Sequence, residues 1–197
     1  VEELVELDCD SPIWDRFYTV NPLVLIGSKE EESYNLAPKH MATALGWENY
    51  FGFVCTPDHQ TYQNIKEHRV FTVSYPRAQQ TVLASLAATC RCEKTGEKPI
   101  VCSLPTFPAK KIDGVFIKDG SLFFECTLDR FIDGFAKNSL IVGKITAAYV
   151  DRDYLRCSDD DEQQMVYKAP LLAYLDPGRF AEIKQSCAFP FPADFRK

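Results

Sequence analysis

The apolar residues fall in short runs separated by turn signals, a pattern of strands more than of long helices. Pro22-Leu23-Val24-Leu25-Ile26-Gly27-Ser28 is an apolar run ended by Gly and reads as a buried strand. Lys29 to Ser33 is a charged turn, and Tyr34 to Ala37 resumes extended structure as far as Pro38, which biases its predecessor away from helix. Lys39 to Thr43 has room for one helical turn. Tyr50 to Thr56 alternates as a strand, and Pro57-Asp58 breaks it. Thr61 to His68 is predicted helical, with Tyr62, Ile65 and Arg69 on one face, and Val70 to Ser74 is a strand. Gln80 to Ala88 reads as a helix, and Thr89 to Asp113, with three prolines, as irregular. Gly114 to Lys118 and Ser121 to Phe131 are expected to pair as a hairpin across Asp119-Gly120. Ser139 to Val150 is a long strand in which Gly143 marks a bulge or a close approach. Arg156 to Gln164 reads as an acidic loop, and Leu171 to Tyr174 and Arg179 to Ile183 as two short segments.

Strands do not alternate with long helices, so a doubly wound sheet is disfavoured and a small barrel with helical inserts fits. The expected organisation is a single domain over 1–197, with an arm at 1–20 packed by Trp14 and Phe17 and a Phe-Pro-rich tail at 185–197.

Composition narrows the function classes. Hydrophobic residues are 46% and charged residues 25%, as in ordinary globular chains. A net charge of -6 argues against a general nucleic-acid binder. No apolar run reaches the ~20 residues of a membrane span. Cys9, Cys55, Cys90, Cys92, Cys102, Cys126, Cys157 and Cys187 are scattered, and those in apolar runs read as core packing. A reduced, cytoplasmic protein is expected. Cys90-Arg91-Cys92 is too tight for a zinc pair and has no second pair to match, so no metal site is expected. The run Ser158 to Glu162 lacks the ligand order of a calcium loop and reads as a solvated turn.

The candidate chemistry lies between Asn35 and Ser74. Thr61 and Asn64 sit in the opening turns of a helix, where free backbone amides favour an anion. Plain capping by Asp58 or Thr61, with Asn64 solvated, fits the same spacing. Asn35-Leu36-Ala37-Pro38 is a polar turn entering a strand. Trp47, after Gly46, has an indole suited to stacking on a flat ligand or to filling a core rim. The chain has no dinucleotide fingerprint, P-loop, nucleophile elbow or zincin motif, and no catalytic side chain is assigned.

Four stretches together resemble the flavin reductase-like family, the flavoredoxin type of FMN-binding split barrel. They are Pro22 to Ser28; Asn35-Leu36-Ala37-Pro38; Thr61-Tyr62-Gln63-Asn64-Ile65 followed by Val70-Phe71-Thr72-Val73; and Leu140 to Ile145 with Pro170 to Tyr174. The resemblance implies a mainly β, six-stranded Greek-key barrel with short helices, forming a homodimer with FMN near the interface. It implies that Asn35, Leu36, Ala37 and Pro38 line the flavin, and that Thr56, Thr61 and Asn64 serve the ribityl-phosphate end. Lys39, His40 and Lys66 are electrostatic candidates for balancing the phosphate. The family often has Ser at the place of His40 and a Pro-Pro pair near Trp47, which here stands to cover the flavin. The implied activity is an NAD(P)H-dependent flavin reductase passing electrons to free flavin or another acceptor. The alternative is a flavin-binding electron carrier without nicotinamide turnover. A flavin carries its own hydride chemistry, which fits the missing acid–base pair.

Overall fold

The computed structural model describes residues 4–157 and 161–192. The run Ser158 to Asp160 lies outside the described residues. Sixteen strands and α-helices follow in order: β1 (Thr19–Pro22), β2 (Val24–Glu30), β3 (Ser33–Lys39), β4 (Ala42–Ala44), β5 (Tyr50–Cys55), α1 (Gln60–His68), β6 (Val70–Tyr75), α2 (Thr81–Leu86), α3 (Pro99–Cys102), β7 (Thr106–Pro108), β8 (Val115–Ile117), β9 (Leu122–Phe135), β10 (Asn138–Val150), α4 (Glu162–Lys168), β11 (Leu171–Asp176) and β12 (Arg179–Ile183). The main sheet is antiparallel throughout, in the order β3-β2-β6-β9-β10-β5-β4. It has seven strands where the resemblance implies six. A three-stranded sheet β1-β11-β12 and the pair β7-β8 stand beside it.

The two edge strands of the main sheet are neighbours in the chain. β3 ends at Lys39 and β4 begins at Ala42, so the edges lie within about 11 Å of each other. The sheet therefore curls into an open half-barrel. Its inside is filled by Val24, Ile26, Phe51, Phe53, Tyr62, Ile65, Phe71, Val73, Leu128 and Ile141. A second core lies outside the curl, where Leu25 and Leu36 meet Ala84, Ala87, Val101, Leu104, Val115 and Ile117. Burial on both faces explains why β2 is a continuous apolar run. Gly143 is required by packing: a Cβ there would stand 2.4 Å from the Phe71 ring. A register shift falls between Val142 and Gly143 as well.

Several expectations change. The segment Lys39 to Thr43 is not a helical turn. Ala42 pairs with Phe53 and Ala44 with Phe51, because the edge of β5 offers a ladder that a single turn would leave unpaired. The Asp119-Gly120 turn forms, with Asp119 at φ 61°, but it joins no hairpin. β8 pairs with β7 and β9 with β6 and β10. Phe107 and Phe116 face each other across the β7–β8 ladder with their rings 5.3 Å apart, and both rings pack on Phe123 of β9. The expected irregular stretch Thr89 to Asp113 thus holds α3 and β7. Asp161 accepts from the amides of Gln163 and Gln164 and caps α4, so the second half of the expected acidic loop is helical. The helix expected over Gln80 to Ala88 ends at Leu86. In the arm, Trp14 and Phe17 touch at 6.2 Å, yet Trp14 stays 56% exposed. Among the described residues no helix is long and apolar enough to cross a membrane.

Candidate functional site

The site is built where β3, the end of β5 and the start of α1 converge. β3 is an edge strand, and Pro38 belongs there because it has no amide hydrogen for a further ladder. Side chains alternate along it. Asn35 and Lys39 face α1 and β5: the Asn35 amide donates to Thr61 Oγ1 at 3.2 Å, and the Lys39 charge acts on the Cys55 thiol. Leu36 is buried in the second core, and the His40 ring lies 4.7 Å from Tyr174, with Nε2 3.8 Å from Asp176. Asn35 to Pro38 is therefore not the expected polar turn but strand, because it pairs with Leu25 to Ser28 of β2, and its side chains are divided between two faces. Pro38 and His40 line a separate groove of about 560 Å³ between α2 and the β11–β12 hairpin.

α1 starts without a side-chain cap. His59 is its N-cap residue and makes no capping bond, and no acidic residue stands in the first turn. Neither Asp58 nor Thr61 caps it. Thr61 and Asn64 are buried on the inner face with Tyr62 and Ile65. Asn64 donates to Ser28 Oγ at 3.1 Å and accepts from Gln60 Nε2 at 2.6 Å. The pair belongs to a buried polar cluster with Asn35 and Ser28. In that cluster the Asn35 Oδ1 oxygen is buried without a hydrogen-bond partner. A buried acceptor left open is costly unless something donates to it.

Lys39 supplies the fixed positive charge near the open start of α1, with Asp58 beside it. Burial, and then the Lys39 charge, push the His59 imidazole below its ordinary value, with Asp58 opposing. Burial raises the Cys55 thiol, partly offset by Lys39. Thr56 donates to Asn138 Oδ1 at 3.3 Å, at the mouth between β5 and β10. Lys66 stands in the last turn of α1, at the opposite end of the helix. Trp47 is 94% exposed at the tip of the β4–β5 hairpin, at the far end of β5 from Thr56.

Two cations escaped the sequence reading. The Lys98 ammonium lies on the Leu36 and Ala87 carbonyls at 3.1 and 2.5 Å. Burial, and then the charges of Arg91 and Lys39, push it below the ordinary lysine value. Arg91 grips Glu30 with two 2.8 Å contacts and ties the 88–98 segment to the end of β2. Between this segment and α1 lies a cleft of about 550 Å³ whose lining includes Asn35 and Gln60, the cations Arg91 and Lys98, and the carboxylates Glu30, Glu31, Glu32 and Glu97. That is the size of an ordinary cofactor pocket. Cys90 and Cys92 are exposed and unpaired, the Cys92 thiol lowered by its hydrogen bond to Thr95. Among the described residues no cluster of His, Cys, Asp and Glu suits a metal ion.

An uncapped helix start near Lys39, an open buried acceptor and an adjoining cleft make this the candidate site. The family model for the flavin reductase like domain matches residues 17–176, and the chain belongs to that family. The fold is similar to flavoredoxin from Methanosarcina acetivorans at 19% identity, covering 97% of both chains with a TM-score of 0.75. It is similar to an FMN-binding protein from Thermus thermophilus at 18% identity, covering 95% of this chain and 100% of that one, with a TM-score of 0.77. A protein with a split barrel domain from Shewanella frigidimarina NCIMB 400 matches at 17% identity over 88% of this chain and 87% of that one, with a TM-score of 0.74. The fold is a split barrel, mainly β with few short helices. No curated protein sequence matches the chain.

Proposed function

We propose that the protein is an FMN-binding oxidoreductase of the flavin reductase type, which takes electrons from NAD(P)H and passes them to free flavin or another acceptor. The observation that carries this reading is the uncapped start of α1 beside Lys39 and His59, with the open Asn35 Oδ1 next to it. The residues fit FMN. The α1 amides, Lys39, His59 and Thr56 would hold the phosphate and ribityl end. Asn35, Ala37 and the β3 backbone would meet the ring, and the 550 Å³ cleft gives it room. Thr61 and Asn64 would serve the phosphate end by fixing the first turns of α1 against β2 and β3. His40, in the separate groove, and Trp47, at the far end of β5, stand away from this cradle within the chain. A bound flavin supplies the hydride and electron chemistry itself, and the protein orients it and excludes water.

The reading includes a homodimer. Trp47, Ile132 and Phe135 are large apolar side chains left open at hairpin tips, and aromatic groups of this kind are enriched in interfaces. It also includes a cytoplasmic location, which the eight unpaired cysteines favour.

The test is the visible spectrum of the purified protein with added FMN, followed by stopped-flow mixing with NADH and NADPH. A saturable flavin spectrum bleached rapidly by a nicotinamide supports the reductase. Bleaching by dithionite alone makes the protein an electron carrier. A colourless protein without saturable FMN binding overturns both.

A further inference from the structure

The groove between α2 and the β11–β12 hairpin lies outside the cradle at the start of α1. It holds about 560 Å³, within the range of small-molecule sites. Its lining is mostly apolar. Val82 and Leu86, one turn apart on α2, and Phe180 of β12 are large side chains left exposed there. Pro38, His40 and Tyr174 also line it, and the His40 ring rests on Tyr174 at 4.7 Å with a tilt of 31°. Flat aromatic surface of this kind favours a flat ring as its neighbour.

The polar groups in the groove are donors. Thr81 and Ser85 stand four residues apart on α2 and share a face. Arg179 opens β12. Among the described residues none of these three side chains has a hydrogen bond or an ion pair. No Asp or Glu is in the lining among the described residues. The Asp176 carboxylate, outside it, stands 3.8 Å from His40 Nε2 and leaves Arg179 unpaired. In a chain of net charge -6, an apolar groove carrying one unpaired guanidinium selects an anion. A single such charge in apolar walls matches one carboxylate on an apolar body better than a phosphate, which carries more charge. Guanidinium and carboxylate also meet as two parallel hydrogen bonds.

We infer that this groove binds a planar aromatic carboxylate. The carboxylate meets Arg179, the hydroxyls of Thr81 and Ser85 offer further donors, and the ring lies among His40, Tyr174 and Phe180. The inference is independent of the FMN reading, because the groove's side chains are not those that would hold FMN.

The experiment is isothermal titration calorimetry of the full chain with naphthoate and with naphthylmethanol, which keeps the ring and lacks the charge. Naphthoate is expected to bind saturably at one site, and naphthylmethanol roughly tenfold more weakly, the weight of one charge-assisted contact. Arg179→Gln is expected to weaken naphthoate roughly tenfold and to leave naphthylmethanol unchanged, with Arg179→Lys recovering part of the loss. Ser85→Glu, which brings a carboxylate to the groove, is expected to weaken naphthoate by a similar factor and to spare the alcohol. Arg179 and Ser85 are both exposed, so these variants keep the fold intact. Absence of saturable naphthoate binding overturns the inference. Equal affinity for the two ligands, or naphthoate affinity unmoved in Arg179→Gln, overturns it as well. FMN binding enters none of these outcomes, so the inference and the proposed function fail separately.

Discussion

The side-chain amide of Asn35 donates to the Thr61 hydroxyl at 3.2 Å across 26 residues, while the Asn35 oxygen is buried and unpaired. The bond ties the edge strand β3 to the first turn of α1. Replacing Thr61 by Val leaves both polar atoms of Asn35 unpaired, so Thr61→Val is expected to cost about 1–3 kcal/mol in urea unfolding. Asn35→Ala removes the orphaned oxygen along with the bond and is expected to cost less. Both, like the pair Thr61→Ala and Asn64→Ala, are expected to weaken FMN roughly tenfold or more, because the α1 start loses its anchor. A Thr61→Val protein with wild-type stability would detach Thr61 from this role.

Lys39 separates the anion end of the cradle from the ring end. Lys39→Met is expected to weaken FMN roughly tenfold, the weight of one charge-assisted contact, and to leave riboflavin affinity unchanged. Lys66→Ala, at the other end of α1, is expected to change neither. Titrations of both ligands by fluorescence quenching decide the matter. Equal losses for FMN and riboflavin in Lys39→Met would place the phosphate elsewhere.

The sequence made the local elements legible and the non-local ones not. β2, β5, β6, β10 and α1 stand close to where apolar patterning and Pro or Gly breaks put them, because those signals act over a few residues. The β7–β8 pair was hidden by the stronger local turn signal at Asp119-Gly120, since only the packing of Phe107, Phe116 and Phe123 reveals the true partner. At the site, the spacing of Thr61 and Asn64 correctly put them on one helix face. That face also carries Ile65, four residues after Thr61, which marks it as the inner one. Lys98 gave no signal, because its partners are backbone carbonyls 62 and 11 residues away.

Gly143 offers a test of the barrel interior. A Cβ at this position would meet Phe71 Cζ at 2.4 Å and Cys126 Cβ at 3.1 Å. Phe71 is itself fully buried and packed edge-on to Phe53 at 5.4 Å, so it has nowhere to move. Gly143→Ala is expected to destabilise by about 1–3 kcal/mol through overpacking. Adding Phe71→Leu to Gly143→Ala is expected to recover part of that loss, a non-additivity readable from a double-mutant cycle in urea.

The Glu125 carboxylate is fully buried on β9, on the face opposite the barrel interior and under the 110–112 loop. It accepts from the amides of Lys110, Lys111 and Ile112 at 2.9, 2.7 and 2.9 Å, and from the Tyr149 hydroxyl at 2.8 Å. Burial alone would raise its proton affinity, but these four donors outweigh it and hold the carboxyl below the ordinary value of 4.5. A depressed carboxyl contributes stability above its unfolded value and loses it as the pH falls through the folded one. Glu125 therefore adds to stability at neutral pH, and that share disappears in acid below about pH 4.5. Glu125→Gln presents an amide donor to backbone donors and is expected to cost about 2–3 kcal/mol at pH 7. The variant is also expected to flatten the fall of stability as the pH drops below about 4.5, where that titration is lost. Urea unfolding across that range measures both effects, and a variant with the wild-type acid slope would show that other carboxylates carry it.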